Sequence, residues 1–299
     1  ARGEADGLRS HGLLRLPADC SHLACGKVDG RATPWLERSA PGVLLVDAAH
    51  GFAHPAIELG LGELAPAARA QGVAALAVRR SYNCGVVGHI VERLAEQGFV
   101  ALAFVNAPAS IAPWGGRTPL FGTNPVAFAA PRRDGAPLVI DQSSSVVARG
   151  EVMLRAQRGE PLPEGWAFDA DGRPTTDPAA ALRGSLAPAG GHKGSGLALM
   201  VEILAAVLVG ATPSAAASSF ADDAGGPPGT GQMLVAFDPD RFVGRPAFLD
   251  ALEGVCAAMT AQEGVRLPGD RRLAARRRTA ATGVAVDAAL RQRIEALAR

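Results

Sequence analysis

The chain has little lysine, asparagine or tyrosine. Lysine stands only at Lys27 and Lys193 among 30 basic residues, asparagine only at Asn83, Asn106 and Asn124, and the one tyrosine is Tyr82. Such a bias towards Ala, Gly and Arg reflects base composition, and residues that run against it point to positions where chemistry dictated the choice. The four cysteines (Cys20, Cys25, Cys84, Cys256) are too few and too scattered for a disulfide framework, so a reducing cytoplasm is the expected home. No apolar run reaches the roughly 18 residues of a membrane span. The longest, residues 197–209, is interrupted by Glu202 and reads as a buried helix. The first residues are charged and lack an apolar stretch, so no signal peptide is expected. The 30 basic and 29 acidic residues leave +1, and no block of like charge exceeds Arg276-Arg277-Arg278. A nucleic-acid binder is excluded for want of an electrostatic footprint.

What is there is globular. Hydrophobic residues make up 48% and charged residues 20%, which excludes a disordered chain. The 299 residues correspond to about two structural units and bury enough surface to fold without disulfide or metal. Apolar runs of strand length fall at residues 43–46, 73–78, 100–105, 126–130, 138–140 and 233–237. Helical patterns cover 56–71, 86–96, 147–158 and 194–208, and two more helices at about 246–263 and 286–298 close the chain. Residues 107–125 form a Pro/Gly-rich stretch too long for a simple connection, and 159–191 are mostly turn chemistry. The alternation predicts an α/β (α+β) fold with helical segments at both ends. No strand is followed by GxGxxG opening a helix, so a standard Rossmann fold is not expected.

Four stretches offer chemistry. Gly190-Gly191-His192-Lys193-Gly194 precedes the longest helix. Glycines and a helix N-terminus favour an anion, and Lys193 adds a cation; the other reading is a turn that starts a buried helix. Ser10-His11-Gly12 with Arg15 sets a titratable ring beside a hydroxyl, with a guanidinium suited to a carboxylate one turn on. The other reading there is a surface histidine beside a helix-face arginine. His50, His54 and Glu58 are spaced like metal ligands, but Pro55 takes His50 off the helix face. Cys20, His22 and Cys25 lack a fourth ligand nearby, so no metal is expected. Asp141-Gln142-Ser143 follows a strand end, where cofactor-binding groups commonly project, or is an ordinary polar turn.

Six ordered motifs resemble one family across essentially the whole chain. They are Ser10-His11-Gly12, Phe121-Gly122-Thr123-Asn124-Pro125, Gly165-Trp166-Ala167, Thr175-Thr176-Asp177-Pro178, Gly190-Gly191-His192-Lys193-Gly194 and Leu267-Pro268-Gly269-Asp270-Arg271-Arg272. Together they resemble the malate/L-lactate dehydrogenase family of non-Rossmann NAD(P)-dependent oxidoreductases. The resemblance implies a cofactor domain with a large mixed, mostly antiparallel sheet over residues 41–244. It also implies a mainly helical substrate and dimer domain from residues 1–40 and 245–299. Members carry a further N-terminal helical segment, so this chain is expected to begin partway in.

Two departures bear on the subfamily. Many 2-hydroxy-acid members have a histidine where this chain has Asn83, in Ser81-Tyr82-Asn83-Cys84-Gly85, and a lysine after the Ala-x-Gly that here precedes Glu151. A carboxylate at Glu151 resembles the cyclic-imine reductases. By that mapping Ser10 and Glu151 are relay partners, His11 is the proton donor, and Arg15 holds the substrate carboxylate with Thr123 nearby. A carboxylate beside the His11 ring is expected to raise its pKa. The resemblance places cofactor at Asn83, Cys84, Gly85, Val86, Val87, Asp141, Gln142, Ser143, His192, Lys193, Leu267, Pro268, Gly269, Asp270, Arg271 and Arg272. NADPH is the expected cofactor, with NADH the alternative, and many arginines are available for a 2′-phosphate.

The function so implied is reduction of Δ1-piperideine-2-carboxylate or Δ1-pyrroline-2-carboxylate. The alternative is a dehydrogenase of a 2-hydroxy acid such as sulfolactate, malate or lactate. A metal-dependent hydrolase on His50, His54 and Glu58, or a non-catalytic binding module, leaves Ser10, His11, Lys193 and Glu151 unexplained together. A homodimer acting on a small carboxylate, with no nucleic-acid or membrane partner, is expected.

Overall fold

The computed structural model describes residues 2–297; Ala1, Ala298 and Arg299, which belong to the terminal segments expected above, lie outside the described residues. In chain order the structure has α1 (Arg2–Ala5), α2 (Leu16–Ala24), β1 (Trp35–Ala40), β2 (Val43–Asp47), α3 (Ala53–Gln71), β3 (Val73–Ser81), α4 (Val87–Glu96), β4 (Val100–Val105), β5 (Val126–Ala130) and β6 (Leu138–Gln142). It continues with α5 (Arg149–Arg158), β7 (Ala167–Phe168), β8 (Pro174–Thr175), α6 (Pro178–Arg183), β9 (Ser185–Leu186), α7 (His192–Glu202), β10 (Thr230–Phe237), α8 (Arg245–Thr260), α9 (Asp270–Thr282) and α10 (Ala288–Leu297).

Seven strands form the main sheet in the order β1-β2-β3-β10-β4-β5-β6. Only the β2/β3 pair is parallel, with Leu44 opposite Leu76 and Val46 opposite Val78. The expected mixed, mostly antiparallel sheet is therefore present. Its central strands read as nearly continuous apolar runs because both faces are covered. On one face α3 and α4 bury Leu61, Leu64, Val91 and Leu94 against Leu44, Leu76, Ala103 and Leu234. Gly60 lets α3 sit that close, since a Cβ there would lie 2.4 Å from Leu76. On the other face Val201, Ala205 and Val209 cover Ala77, Phe104 and Met233. The helix expected over 194–208 is α7 extended by a π-helical turn, Ile203–Val207.

Several elements escaped the sequence pattern, among them the short helix α6 within the stretch 159–191. The edge strand β1 is exposed along nearly its whole length, so it shows no alternation. The small sheet β8-β7-β9 is made of two-residue strands inside 159–191. Helix α9 buries only Ala275 as a helical residue and so has no apolar stripe. It is held by charge instead. Arg276 bonds Asp6 at 2.7 Å and Glu92 at 3.1 Å, and Arg272 reaches Glu92 at 3.1 Å, with both carboxylates buried. These pairs tie α9 to α4 and to the residues just after α1, and α10 packs on α2.

A second core of Ile111, Phe121, Val147, Val152, Leu162 and Leu186 lies outside the sheet. It joins the 107–125 stretch to α5 and the small sheet. No helix is long and apolar enough to cross a membrane among the described residues.

Candidate active site

Residues 9–15 form two short 3-10 turns, Arg9–His11 and Leu13–Arg15, joined at Gly12. A Cβ at Gly12 would lie 2.1 Å from Glu4 Oε2, the atom that accepts the Leu13 N–H at 2.9 Å, so the joint needs glycine. The turns place Ser10 Oγ 3.0 Å from His11 Nδ1. With the hydroxyl donating, Nε2 carries the proton of the neutral ring.

The His11 ring is open to a cavity of about 300 Å³ lined also by Ser10, Arg15, Asn83, Thr123 and Arg149. Loss of bulk solvent around the ring, then the charges of Arg15 and His89, push its pKa below the ordinary histidine value. That corrects the expectation that a neighbouring carboxylate would raise it. Glu151 is the reason. Its Oε1 instead accepts Arg155 Nε at 3.2 Å, one turn along α5, and the pair is partly exposed. Only its neighbour Gly150 approaches Ser10, where a Cβ would sit 3.2 Å from Ser10 Cβ. The structure brings Ser10, His11, Arg15 and Thr123 together and leaves the Glu151 carboxylate outside.

Arg15 lies between this cavity and an adjoining one of about 280 Å³ that also contains Asn83, Gly85 and Val86. Its Nη2 is buried with no hydrogen-bond partner among the described residues. A buried guanidinium nitrogen left open beside a cavity asks for an anionic acceptor. Asn83 Oδ1 accepts the Gly85 N–H at 2.7 Å, and Gly85 has φ +72°, which closes the turn between β3 and α4. Asp19 lines the second cavity, and burial pushes its carboxyl up against the pull of Arg15.

The expected cofactor residues divide into three groups. Val86, Asp141, Leu267, Pro268, Gly269, Arg271 and Arg272 share a cavity of about 760 Å³ with Arg266 and Arg278. Asp141 Oδ2 accepts the Gly88 N–H at 2.7 Å, while burial raises its pKa. Gln142, Ser143 and Lys193 line another cavity of about 560 Å³. The remaining residues serve the fold or stand apart. Asp270 accepts the Leu267 N–H at 2.9 Å and closes the turn before α9. The buried Cys84 thiol is pushed up to about 12 by desolvation, Val87 is buried at the start of α4, and His192 meets the edge of Trp114. The glycines before α7 answer to backbone geometry. Gly190 and Gly191 have φ +69° and +67°, and a Cβ at Gly194 would lie 2.3 Å from Ala189 O. Lys193 is exposed at the second residue of α7.

The sequence and the fold match known proteins. The model of the family described as malate/L-lactate dehydrogenase matches residues 1–295. The chain belongs to this family. It is 53% identical over 274 residues to the (2R)-3-sulfolactate dehydrogenase (NADP(+)) of Chromohalobacter salexigens, covering 92% of this chain and 81% of that protein. It is 46% identical over 300 residues to the Δ1-pyrroline-2-carboxylate/Δ1-piperideine-2-carboxylate reductase of Pseudomonas aeruginosa, covering 99% and 89%. The crystal structure of Δ1-piperideine-2-carboxylate reductase from Pseudomonas syringae superposes with a TM-score of 0.88 at 43% identity, covering 99% of this chain and 89% of that one.

Membership in the malate/L-lactate dehydrogenase family makes the chain an oxidoreductase. The metal-ligand spacings lead elsewhere. Glu58 pairs with Arg93 at 2.7 Å, His22 bonds the Tyr82 hydroxyl, and no group among the described residues is placed to hold a metal. Sequence reasoning missed one wall of the site, the segment of residues 214–221 with Ser214, Ser219 and Phe220. The available signal was the long run of Ser, Ala, Gly and Pro between α7 and β10, since structureless stretches of that length inside a domain are commonly functional. Arg149, which the sequence reading did not single out, also lines the cavity.

Proposed function

We propose that this member of the family reduces a cyclic 2-imino acid, Δ1-pyrroline-2-carboxylate or Δ1-piperideine-2-carboxylate, to proline or pipecolate with NADPH. The observation that carries the reading is one cavity that sets the Ser10-oriented His11 ring beside the unpartnered Arg15 Nη2, with Asn83 in place of a second histidine. A 2-oxo acid becomes a hydroxy acid only if an acid protonates the new alkoxide. A cyclic imine bound as the iminium already holds its proton on nitrogen.

When bound, the reduced nicotinamide supplies a hydride. The substrate carbon next to the carboxylate gains the hydride, the C=N π pair moves to nitrogen, and the proton already there completes the amine. Arg15 Nη2 holds the carboxylate, which fixes the distance the hydride travels. His11, oriented by Ser10, keeps or returns the nitrogen proton through Nε2. Thr123 supports the same end of the substrate. Arg266, Arg271, Arg272 and Arg278, over the apolar Val86 and Leu267, fit the phosphates of NADPH or NADH, with Lys193 at the adjoining cavity. The sulfolactate relative is named as NADP(+)-dependent, which supports NADPH.

A second reading, oxidation of sulfolactate or reduction of sulfopyruvate, is favoured by Arg149. Its guanidinium gives the cavity a second cation, which a sulfonate beside a carboxylate would engage. Turnover of both imines against sulfopyruvate and 2-oxo acids, followed by nicotinamide absorbance, separates the two. The helices of the expected terminal segments 1–40 and 245–299 make one unit in this reading, supported by the α1/α9 and α2/α10 contacts. Strand β1 (Trp35–Ala40) pairs with β2 in the main sheet, so the expected boundary at residue 40 moves back and these residues go with 41–244. A homodimer is supported by the exposed apolar stripe Leu199, Met200, Ile203, Val207 and Leu208.

A further inference from the structure

Lys27, one of the two lysines, takes no part in this chemistry and is 1% exposed. Its Nζ donates to three backbone carbonyls: Ser219 at 2.6 Å, Asp222 at 2.8 Å and Ala224 at 2.8 Å. The nearest carboxylate is the largely exposed Asp222, 3.9 Å away. An ammonium desolvated without a close counter-ion is costly unless its donors are all used, and here three donors meet three acceptors.

The three carbonyls belong to a stretch with no strand or helix of its own, the wall of the cavity that carries Ser219 and Phe220. Neighbours of Lys27 hold the same stretch. His22 Nε2 bonds the Asp222 carbonyl at 2.9 Å and Ser21 Oγ donates to Asp223 Oδ2 at 2.7 Å. His22 in turn bonds Tyr82, whose ring meets Phe220 edge-on at 5.2 Å. The Arg15 guanidinium lies 5.9 Å over the Phe220 ring. A chain of contacts therefore runs from Lys27 through the carbonyls to Phe220 and the arginine assigned to the substrate carboxylate.

We propose that Lys27 is a positioning residue: its buried ammonium holds the 219–224 segment so that Phe220 closes the substrate cavity against Arg15, and so sets substrate affinity without touching substrate. This rests on the cavity assignment above, though not on which carboxylate is the substrate. Without the cation the three carbonyls turn to water, and the wall swings away from Arg15.

The test is steady-state kinetics of Lys27→Met, which keeps the apolar stem, with NADPH affinity measured separately by fluorescence. KM for the carboxylate substrate is expected to rise at least about tenfold, as for loss of a charge-assisted hydrogen bond, with kcat little changed. The NADPH Kd should move less than twofold. In a Phe220→Ala background the same substitution should add less than twofold to KM, because both act through one wall. If Lys27→Met does not fold, the Ser21→Ala/Asp223→Ala pair releases the segment from its exposed side and should raise KM alone. An unchanged KM, a parallel rise in NADPH Kd, or full additivity with Phe220→Ala overturns the proposal. An enzyme that prefers sulfopyruvate removes the imine reading only, and the Lys27 comparison is then made on sulfopyruvate.

Discussion

Arg15 stacks its guanidinium 5.9 Å over the Phe220 ring while its Nη2, buried beside the cavity, is left without a protein acceptor. The side chain is held at one end and open at the other, which is how a protein presents a cation to a ligand rather than to itself. It also acts on His11, since its charge is the second cause of that ring's lowered pKa. Arg15→Met should therefore raise KM for a carboxylate substrate by about 10–100-fold. In the same variant the His11 ring, followed by NMR, should titrate at higher pH than in the native protein. Its native pKa lies below the 6.5 of an unperturbed histidine, so the folded state prefers the neutral ring. The ring's contribution to stability is present above pH 6.5 and is lost as pH falls towards the folded value. A titration unmoved by Arg15→Met would contradict the placement of these two groups.

Family likeness makes Glu151 a relay partner although it stands where the imine reductases have aspartate, and the geometry gives it to Arg155 instead. Paired with Arg155 on a partly exposed helix face, it does not reach His11. Glu151→Gln should lower kcat/KM less than about fivefold, the scale of a solvent-screened ion pair. A hundredfold loss, with folding intact, would restore it as a relay carboxylate.

How much of this was legible in the sequence varies with the force that shapes each part. Strands β4 and β5 were readable to the residue because burial on both faces leaves an unbroken apolar run. Helix α9 was not, because Arg272 and Arg276 fasten it to Asp6 and Glu92, far away in sequence. Ser10, His11, Arg15 and Thr123 were legible as a set through motif order, and they do share one cavity. Phe220 and Arg149 were not, because each owes its role to a partner the sequence does not place beside it. The glycine-rich motif before α7 was readable as a phosphate cradle or as a helix start, and left-handed backbone and contact with Ala189 give its glycines a structural reason of their own.

Lys193 is accordingly the sharper probe of cofactor binding than those glycines. Its side chain is exposed, so Lys193→Ala should change stability by no more than about 0.5 kcal/mol. NADPH Kd should rise by about tenfold, the contribution of one charge-assisted contact. An unchanged Kd by fluorescence titration would reduce the motif to a helix start.

Assembly is open to a simple measurement. Val207 and Leu208 are 63% and 64% exposed on an apolar stripe, the kind of surface a partner subunit covers. Sedimentation should give a dimer for the native chain and a monomer for Val207→Glu/Leu208→Glu. A fully active native monomer at micromolar concentration would rule the dimer out.

The central claim is that a cavity with His11, an open arginine and no other histidine or carboxylic acid among its described lining residues suits a substrate that brings its own proton. The measurement that tests it most directly is the ratio of kcat/KM for Δ1-pyrroline-2-carboxylate and Δ1-piperideine-2-carboxylate to that for sulfopyruvate, oxaloacetate and pyruvate, each with saturating NADPH. At least one imine should exceed every 2-oxo acid by about a hundredfold or more, the scale of one positioned acid–base group, because the oxo acids would have His11 alone to supply the proton. Sulfopyruvate turning over faster than both imines would contradict the account and give Arg149 its anion.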